Sequence, residues 1–297
     1  MVTCLDIAAF RFSIATPLPL EPPVPQPAYR EFYRDAGEGT AALSVPLTLN
    51  IVEPEVPARA RRVFDSGMSW KMFREGEIHH LLFDPPAFSS PLWQAVFPPD
   101  LARVEVRCCR GFVVGAPDGP RLTNPVSYPL DQILMMYLLS RHEGLIIHGA
   151  GIETSRGAVV FTGPSGAGKS TLCRLLADEP ELRVLSDDRV VVRRVDGLFW
   201  AFGTPWPGEA GAALNRGRPL VGIYSLAQES GNRIVPISAA ETLERILPVI
   251  SIPWYDRRTS ERILATCDTL LRDVPHARFG FVADGSARAH LKDSGLI

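Results

Sequence analysis

The sequence predicts an α/β chain of two domains: a mainly β (α+β) N-terminal domain over residues 1–126 and an α/β domain over residues 127–297. Three observations carry this. The chain has 297 residues, about two average domains by length. Its first part shows short apolar stretches broken by turn residues, and its second part sets strand-like runs beside clear helical patterns. Hydrophobic residues make up 46% and charged residues 22%, which excludes wholesale disorder.

Taken in order, the first punctuation is residues 17–27, PLPLEPPVPQP, with proline at 17, 19, 22, 23, 25 and 27. Such a run reads as an extended connector or edge segment, since proline removes donors and fixes φ. Between about 40 and 126, stretches such as ALSVPLTLNIVE and RVEVRCCRGFVVG alternate in polarity, as at Val104 and Val106. His79 and His80 are neighbours on a predicted strand, so their side chains face opposite ways and read as a surface pair rather than a metal site. Asp131 to Arg141 follows Pro129, with Ser127 as a candidate cap and Gly144 beyond its end, and predicts one helix joining the domains. Near the C-terminus, Ala239 to Leu247 and Arg258 to Leu271 have helical apolar spacing, and Phe279 to Val282 predicts a closing strand.

Bulk charge narrows the partners. The formal net charge is −2, which gives no sign of a nucleic-acid or anionic-membrane surface. The five cysteines, Cys4, Cys108, Cys109, Cys173 and Cys267, show no C-x-x-C spacing, which fits a reducing cytosol. Asp6 and Arg11 interrupt the first apolar stretch, so no signal-peptide core is expected, and the run Ile133 to Leu139 is too short to span a bilayer. These features together predict a cytoplasmic protein. Of 31 basic residues, only Lys71, Lys169 and Lys292 are lysine.

Lys169 stands in the most specific motif of the chain. Gly163-Pro164-Ser165-Gly166-Ala167-Gly168-Lys169-Ser170 matches G-x-x-x-x-G-K-[ST], the Walker A pattern. Ala158 to Thr162 before it is β-favouring, and Ser170 to Ala177 after it is helical, with Leu172, Leu175 and Leu176 on one face. A glycine loop between strand and helix turns successive N–H groups into one concavity at the positive end of the helix, so polyphosphate is the expected ligand. Gly163 through Thr171 are the candidate nucleotide-binding residues. Lys169 is placed to meet the β- and γ-phosphates of ATP, and the Ser170 hydroxyl to meet the accompanying Mg²⁺.

A carboxylate at the end of an adjacent strand is the usual complement to such a loop. Leu182 to Ser186 leads into Asp187-Asp188, separated from Lys169 only by one helix, a turn at Glu179-Pro180 and that strand. Two neighbouring carboxylates can divide labour between metal and proton; a solvated acidic turn is the plainer reading. Upstream, Leu145 to Thr162 reads as a β-hairpin turning at Ser155-Arg156. That turn sets His148 across from Gly163, where it would contact phosphate, orient a carboxylate or simply be satisfied by backbone. Glu209, Arg216 and Arg218 lie in a Gly/Pro-rich stretch readable as a loop over the nucleotide, with an arginine for the transferring phosphoryl group; in a chain that uses arginine throughout, ordinary surface arginines are the default reading.

His148-Gly149, the hairpin, GPSGAGKST and Ser186-Asp187-Asp188-Arg189-Val190 together resemble the C-terminal catalytic domain of bacterial HPr kinase/phosphorylase, over roughly 142 to 284. The run Gly203-Thr204-Pro205-Trp206-Pro207-Gly208-Glu209, then Asn215, is similar to the wider set of HPr-kinase-related serine kinases, some encoded beside peptide-modification systems. Asn215-Arg216-Gly217-Arg218-Pro219 carries the ingredients of that family's arginine-glycine-asparagine signature in another order.

The resemblance implies a P-loop kinase domain with a phosphoenolpyruvate-carboxykinase-like fold. It implies ATP and Mg²⁺ as cofactors, with the γ-phosphate passing to a hydroxyl, a serine on a protein or peptide partner. It also implies catalytic roles for Lys169, Asp187, Asp188 and His148: Asp187 as general base and Asp188 on the metal, or the two exchanged, with Ser170 on the metal and His148 at the phosphate site. Nucleic acid and membrane are not expected partners, and a homo-oligomer stays open. An ATP-binding regulatory module without phosphotransfer, a small-molecule phosphotransferase and a carboxykinase-like enzyme remain the alternatives.

Overall fold

The computed structural model describes residues 1–297 other than 36, 38–40 and 42. The chain divides into two compact units, Met1–Leu138 and Leu139–Ile297. It is mixed α/β, with large sheets.

The first unit holds β1 (Val2–Ile7), β2 (Phe10–Ala15), β3 (Leu20–Glu21), β4 (Tyr33–Asp35), β5 (Leu43–Ile51) and β6 (Arg61–Asp65). It continues through β7 (Trp70–Glu75), β8 (Ile78–Phe83), β9 (Trp93–Phe97), β10 (Val104–Cys108), β11 (Val113–Ala116) and β12 (Gly119–Thr123), then α1 (Leu130–Ser140). Nine strands form one sheet in the order β4-β1-β2-β5-β10-β9-β8-β7-β6. Strict alternation builds its core: Phe10, Phe12 and Ile14 of β2, Val45, Leu47 and Leu49 of β5, and Val104, Val106 and Cys108 of β10 are all buried. Within the proline-rich run, β3 pairs in parallel with β12 at the edge of a three-stranded sheet, the position in which missing N–H groups cost least. The hydroxyl of Tyr29 donates to Asp131 Oδ2 at 2.7 Å and fixes the first turn of α1.

His79 and His80 are not a surface pair. Their relative exposures are 1% and 5%: β8 lies inside the sheet, between β7 and β9, and both of its faces are covered. His79 stacks on Phe97, and His80 Nδ1 lies 3.4 Å from Gln94 Nε2.

The second unit runs β13 (Gly144–Thr154), β14 (Gly157–Thr162), α2 (Lys169–Ala177), β15 (Arg183–Ser186), β16 (Arg189–Val195), β17 (Leu198–Phe202), β18 (Gly217–Gln228) and β19 (Arg233–Pro236). It ends with α3 (Ala239–Ile246), α4 (Arg257–Asp273), β20 (His276–Phe281) and α5 (Gly285–Asp293). The hairpin register is the one a Ser155–Arg156 turn dictates: Thr154 pairs Gly157 and Gly149 pairs Thr162. Two strands are long and serve twice. The first half of β13 pairs β16, and its second half pairs β14 and β15. Likewise β18 pairs β17 through Gly217 to Pro219, then β14 and β20 beyond. Because β14 bridges β13 and β18, the ladder closes on itself around Leu145, Ile147, Val160, Val190, Val192 and Ile223.

Helices cover both faces. Residues of α3 and α4, among them Ile246, Ile263 and Leu270, pack on that inner cluster. On the other side, Leu172, Cys173 and Leu176 of α2 and Ala287 and Leu291 of α5 pack on Ile152, Val159, Phe161 and Phe279. Each buried leucine contributes roughly 1.5–3 kcal/mol, enough for Leu172 and Leu176 to fix how α2 is turned about its axis. The strand expected to close the fold, β20, sits instead between β18 and β19, because Arg233–Pro236 adds a further antiparallel strand outside it. Among the described residues, no helix is long and apolar enough to cross a membrane.

Candidate functional site

The loop 163–168 leaves the C-terminal end of β14 and enters α2, the position where parallel strands of open sheets commonly present a ligand crevice. Its shape needs glycine at two points. Gly166 has φ +80° and Gly168 φ +101°, and a Cβ on Gly168 would lie 2.5 Å from the Phe281 ring. Gln228 Nε2 donates to Gly166 O at 2.9 Å and latches the loop to the end of β18. No side chain caps α2, whose cap residue is Gly168, so the N–H groups of its first turn stay directed into the concavity.

Lys169 is 6% exposed, and its Nζ donates to Gly163 O at 2.8 Å and Pro164 O at 3.0 Å. Burial lowers its pKa; the nearby charge of Asp188 works against the shift and Arg189 adds to it.

The two aspartates are separated in role by what they touch. Asp187, 2% exposed, accepts from the backbone N–H groups of Gly208 and Ala212 on Oδ1, at 2.9 and 3.1 Å, and of Ala210 on Oδ2 at 2.7 Å. It is the anchor of the 208–212 loop. Asp188 is open to the cleft. His148 Nε2 lies 2.8 Å from its Oδ1 and Arg189 Nη1 2.9 Å from its Oδ2. Burial alone would raise the pKa of Asp188, but the His148 hydrogen bond and the charges of Arg189, His148 and Lys169 outweigh it and hold the carboxyl below its ordinary value. The backbone supports this placement: His148 pairs Arg189 across β13 and β16, and Gly149 N donates to Asp188 O at 2.9 Å.

A cleft of about 410 Å³ gathers these groups. Its walls include His148, Ser165, Lys169, Ser170, Thr171, Asp187 and Asp188, the residues singled out by motif and spacing, together with Glu209 from the anchored loop. Arg216 and Arg218 do not line it. They pair with Glu153, at 2.9 and 3.2 Å, a buried carboxylate at the far end of β13 from His148, so the loop-arginine reading fails on geometry. Arg174 and Gln228 line the cleft without having been singled out. Arg174 carries a legible signal, since it lies three and four positions after Thr171 and Ser170 on the same helical stripe; Gln228 carries none.

No protein-family model and no curated protein matches this chain. Among solved structures, the HPr(Ser) kinase/phosphatase from Coxiella burnetii is similar at 14% identity and TM-score 0.26, over 50% of this chain and 93% of that one.

Proposed function

We propose that the chain is an ATP- and Mg²⁺-dependent kinase that transfers the γ-phosphate to a hydroxyl, a serine on a protein or peptide. The observation that carries the reading is the juxtaposition in one cleft of an uncapped glycine loop with a buried lysine and an open aspartate held by His148. Polyphosphate fits this loop: the first-turn amides of α2 lack side-chain partners, and the Lys169 ammonium is held only by loop carbonyls.

The proton acceptor in this reading is Asp188 rather than Asp187. A carboxylate offers about four lone-pair sites. Asp187 spends three on loop amides and is buried. Asp188 has capacity left and faces the cleft. Its low pKa suits a base that orients the acceptor hydroxyl and takes the proton late, as a loose phosphoryl-transfer transition state allows. His148 and Arg189 fix the carboxylate's plane from two sides.

Mg²⁺ arriving with the phosphates would neutralise charge developing on the transferred group. The Ser170 hydroxyl and the exposed Glu209 carboxylate are the cleft oxygens that would hold it beside phosphate oxygens and water, which leaves Asp188 to the proton.

The test is phosphotransfer from labelled ATP to a serine peptide library or cell extract, read by mass spectrometry. Lys169→Ala is expected to lose ATP binding and transfer together. Asp188→Asn is expected to bind ATP with an affinity near that of the parent while transfer falls about 100-fold or more. ATP binding by the parent chain with no transfer to any acceptor would refute the kinase and leave a nucleotide-responsive module.

A further inference from the structure

Helix α2 puts Ser170, Thr171 and Arg174 on one stripe, because positions three and four apart stack on a helical surface. The opposite stripe, Leu172, Cys173 and Leu176, is buried, which fixes the rotation of the helix and leaves Arg174 exposed on the cleft wall. Among the described residues no hydrogen bond, ion pair or ring contact engages its guanidinium. In the second unit Arg189, Arg194, Arg216, Arg218, Arg278 and Arg288 pair with carboxylates, whereas Arg141, Arg183 and Arg262, which like Arg174 do not, lie outside this cleft. Glu209 lines the same cleft yet forms no ion pair with Arg174.

The direction of the side chain follows from helix geometry. Cα–Cβ bonds tilt toward the N-terminus, and long side chains lie back over the preceding turn. The Arg174 guanidinium therefore covers the turn of Ser170 and Thr171. Its Cα stands about 7.5 Å beyond that of Lys169 along the axis, at 1.5 Å per residue. A polyphosphate with its terminal groups at Lys169, following the first-turn amides, meets this guanidinium with its third phosphate.

We propose that Arg174 selects the phosphoryl donor: it grips the α-phosphate of a nucleoside triphosphate, which inorganic pyrophosphate, filling only the two places nearest Lys169, cannot offer. The inference rests on the reading of loop 163–168 as a phosphate site. It makes Arg174 a donor-specificity residue, and its forked guanidinium suits bidentate contact with one phosphate.

Titration calorimetry on the full chain with Mg²⁺ separates the possibilities, using ATP and pyrophosphate as the two ligands. Arg174→Ala is expected to raise the Kd for ATP about 10- to 100-fold, the range for losing a charged hydrogen bond. The Kd for pyrophosphate should stay within about two-fold, as for a surface change that touches nothing. Arg174→Lys, which keeps charge without the fork, should recover part of the ATP affinity. Arg174→Gln should behave as the alanine variant does and guards against a helix-propensity effect. An unchanged Kd for ATP, or equal losses for both ligands, would overturn the assignment while leaving the phosphate loop intact. Failure of the parent chain to bind either ligand would overturn the loop reading and this inference with it.

Discussion

Consider Asp187→Asn, a change of one atom in a side chain that is 2% exposed. The amide can keep its oxygen in the Oδ1 position, where Gly208 and Ala212 donate at 2.9 and 3.1 Å. Its NH₂ group then faces the N–H of Ala210 across 2.7 Å, donor against donor. One charge-assisted bond is lost, the other two lose their charge, and a lost bond of that kind costs about 1.5–3 kcal/mol. The loop has an alternative to bearing this cost, which is to detach. The free energy for opening 208–212 should therefore fall by about 2–3 kcal/mol, or roughly 30- to 150-fold in the open population. Hydrogen exchange at the amides of Gly208, Ala210 and Ala212 reads that quantity directly, and their protection should drop by the same factor. Asp188→Asn is the control, expected to leave those amides within about two-fold of the parent. Unchanged protection in the Asp187 variant, or equal loss in both, would refute the division between a loop anchor and a cleft carboxylate. Where protection falls in Asp187→Asn alone, loss of transfer in that variant is displacement of Glu209 with its loop, not loss of the base.

Further outcomes follow from other parts of the molecule. Gly168→Ala should destabilise the chain in urea by about 1–2 kcal/mol of left-handed backbone strain, plus about 1–3 kcal/mol of overpacking against Phe281. Phe281→Leu in the same chain should return part of the second term only, and a change within about 0.5 kcal/mol would show the loop to be looser than its φ angles imply. The Lys169 ammonium, held low mainly by burial, loses its proton at lower pH than an ordinary lysine, so phosphate attraction fades as pH rises through that lowered value. If the chain transfers phosphate as proposed, the alkaline limb of kcat/KM, which reports the unliganded protein, should therefore lie below about pH 10.4. It should move upward in Lys169→Arg, and an unmoved limb would assign it to another group. Tyr29→Phe removes the donor to Oδ2 of the fully buried Asp131 and the acceptor of Tyr128 N, and should cost about 1–3 kcal/mol with an unchanged urea m-value. A smaller loss would mean that the remaining partners of Asp131, Gln132 N among them, carry its charge.

The turn at 163–168 was readable because everything it needs is contiguous: strand, glycines, lysine and helix follow one another, and local chemistry dictates the turn. The hairpin register was readable for the same reason, a two-residue turn fixing every pair from Thr154 to Gly149; His148, one step further, pairs Arg189 of β16 and not Gly163. The division between Asp187 and Asp188 was not. It depends on amides that come twenty or more positions later in the chain and fold back onto one of two identical side chains. Arg216 and Arg218 were misplaced for a related reason: Glu153, which claims both, is distant in sequence and silent in any local pattern. His79 and His80 point to opposite faces of β8, and no local pattern in the sequence tells that both of those faces are buried. A chain with so many arginines also hides Arg174; only its spacing from Ser170 and Thr171 sets it apart.

The double duty of β13 and β18 has a mechanical consequence. A unit whose strands fell into two sets joined only by loops could let one set fray while the other held its form. Here any break between them must part a continuous backbone ladder, since β13 supplies partners to β14, β15 and β16, and β18 to β14, β17 and β20. The second unit should accordingly melt as one cooperative block, with no stable half-molecule retaining the phosphate loop. His148 on one of these strands and Gln228 at the end of the other both line the cleft, so their spacing is set by strand continuity, a stiffness that exchange or cutting of the 208–212 loop would leave in place.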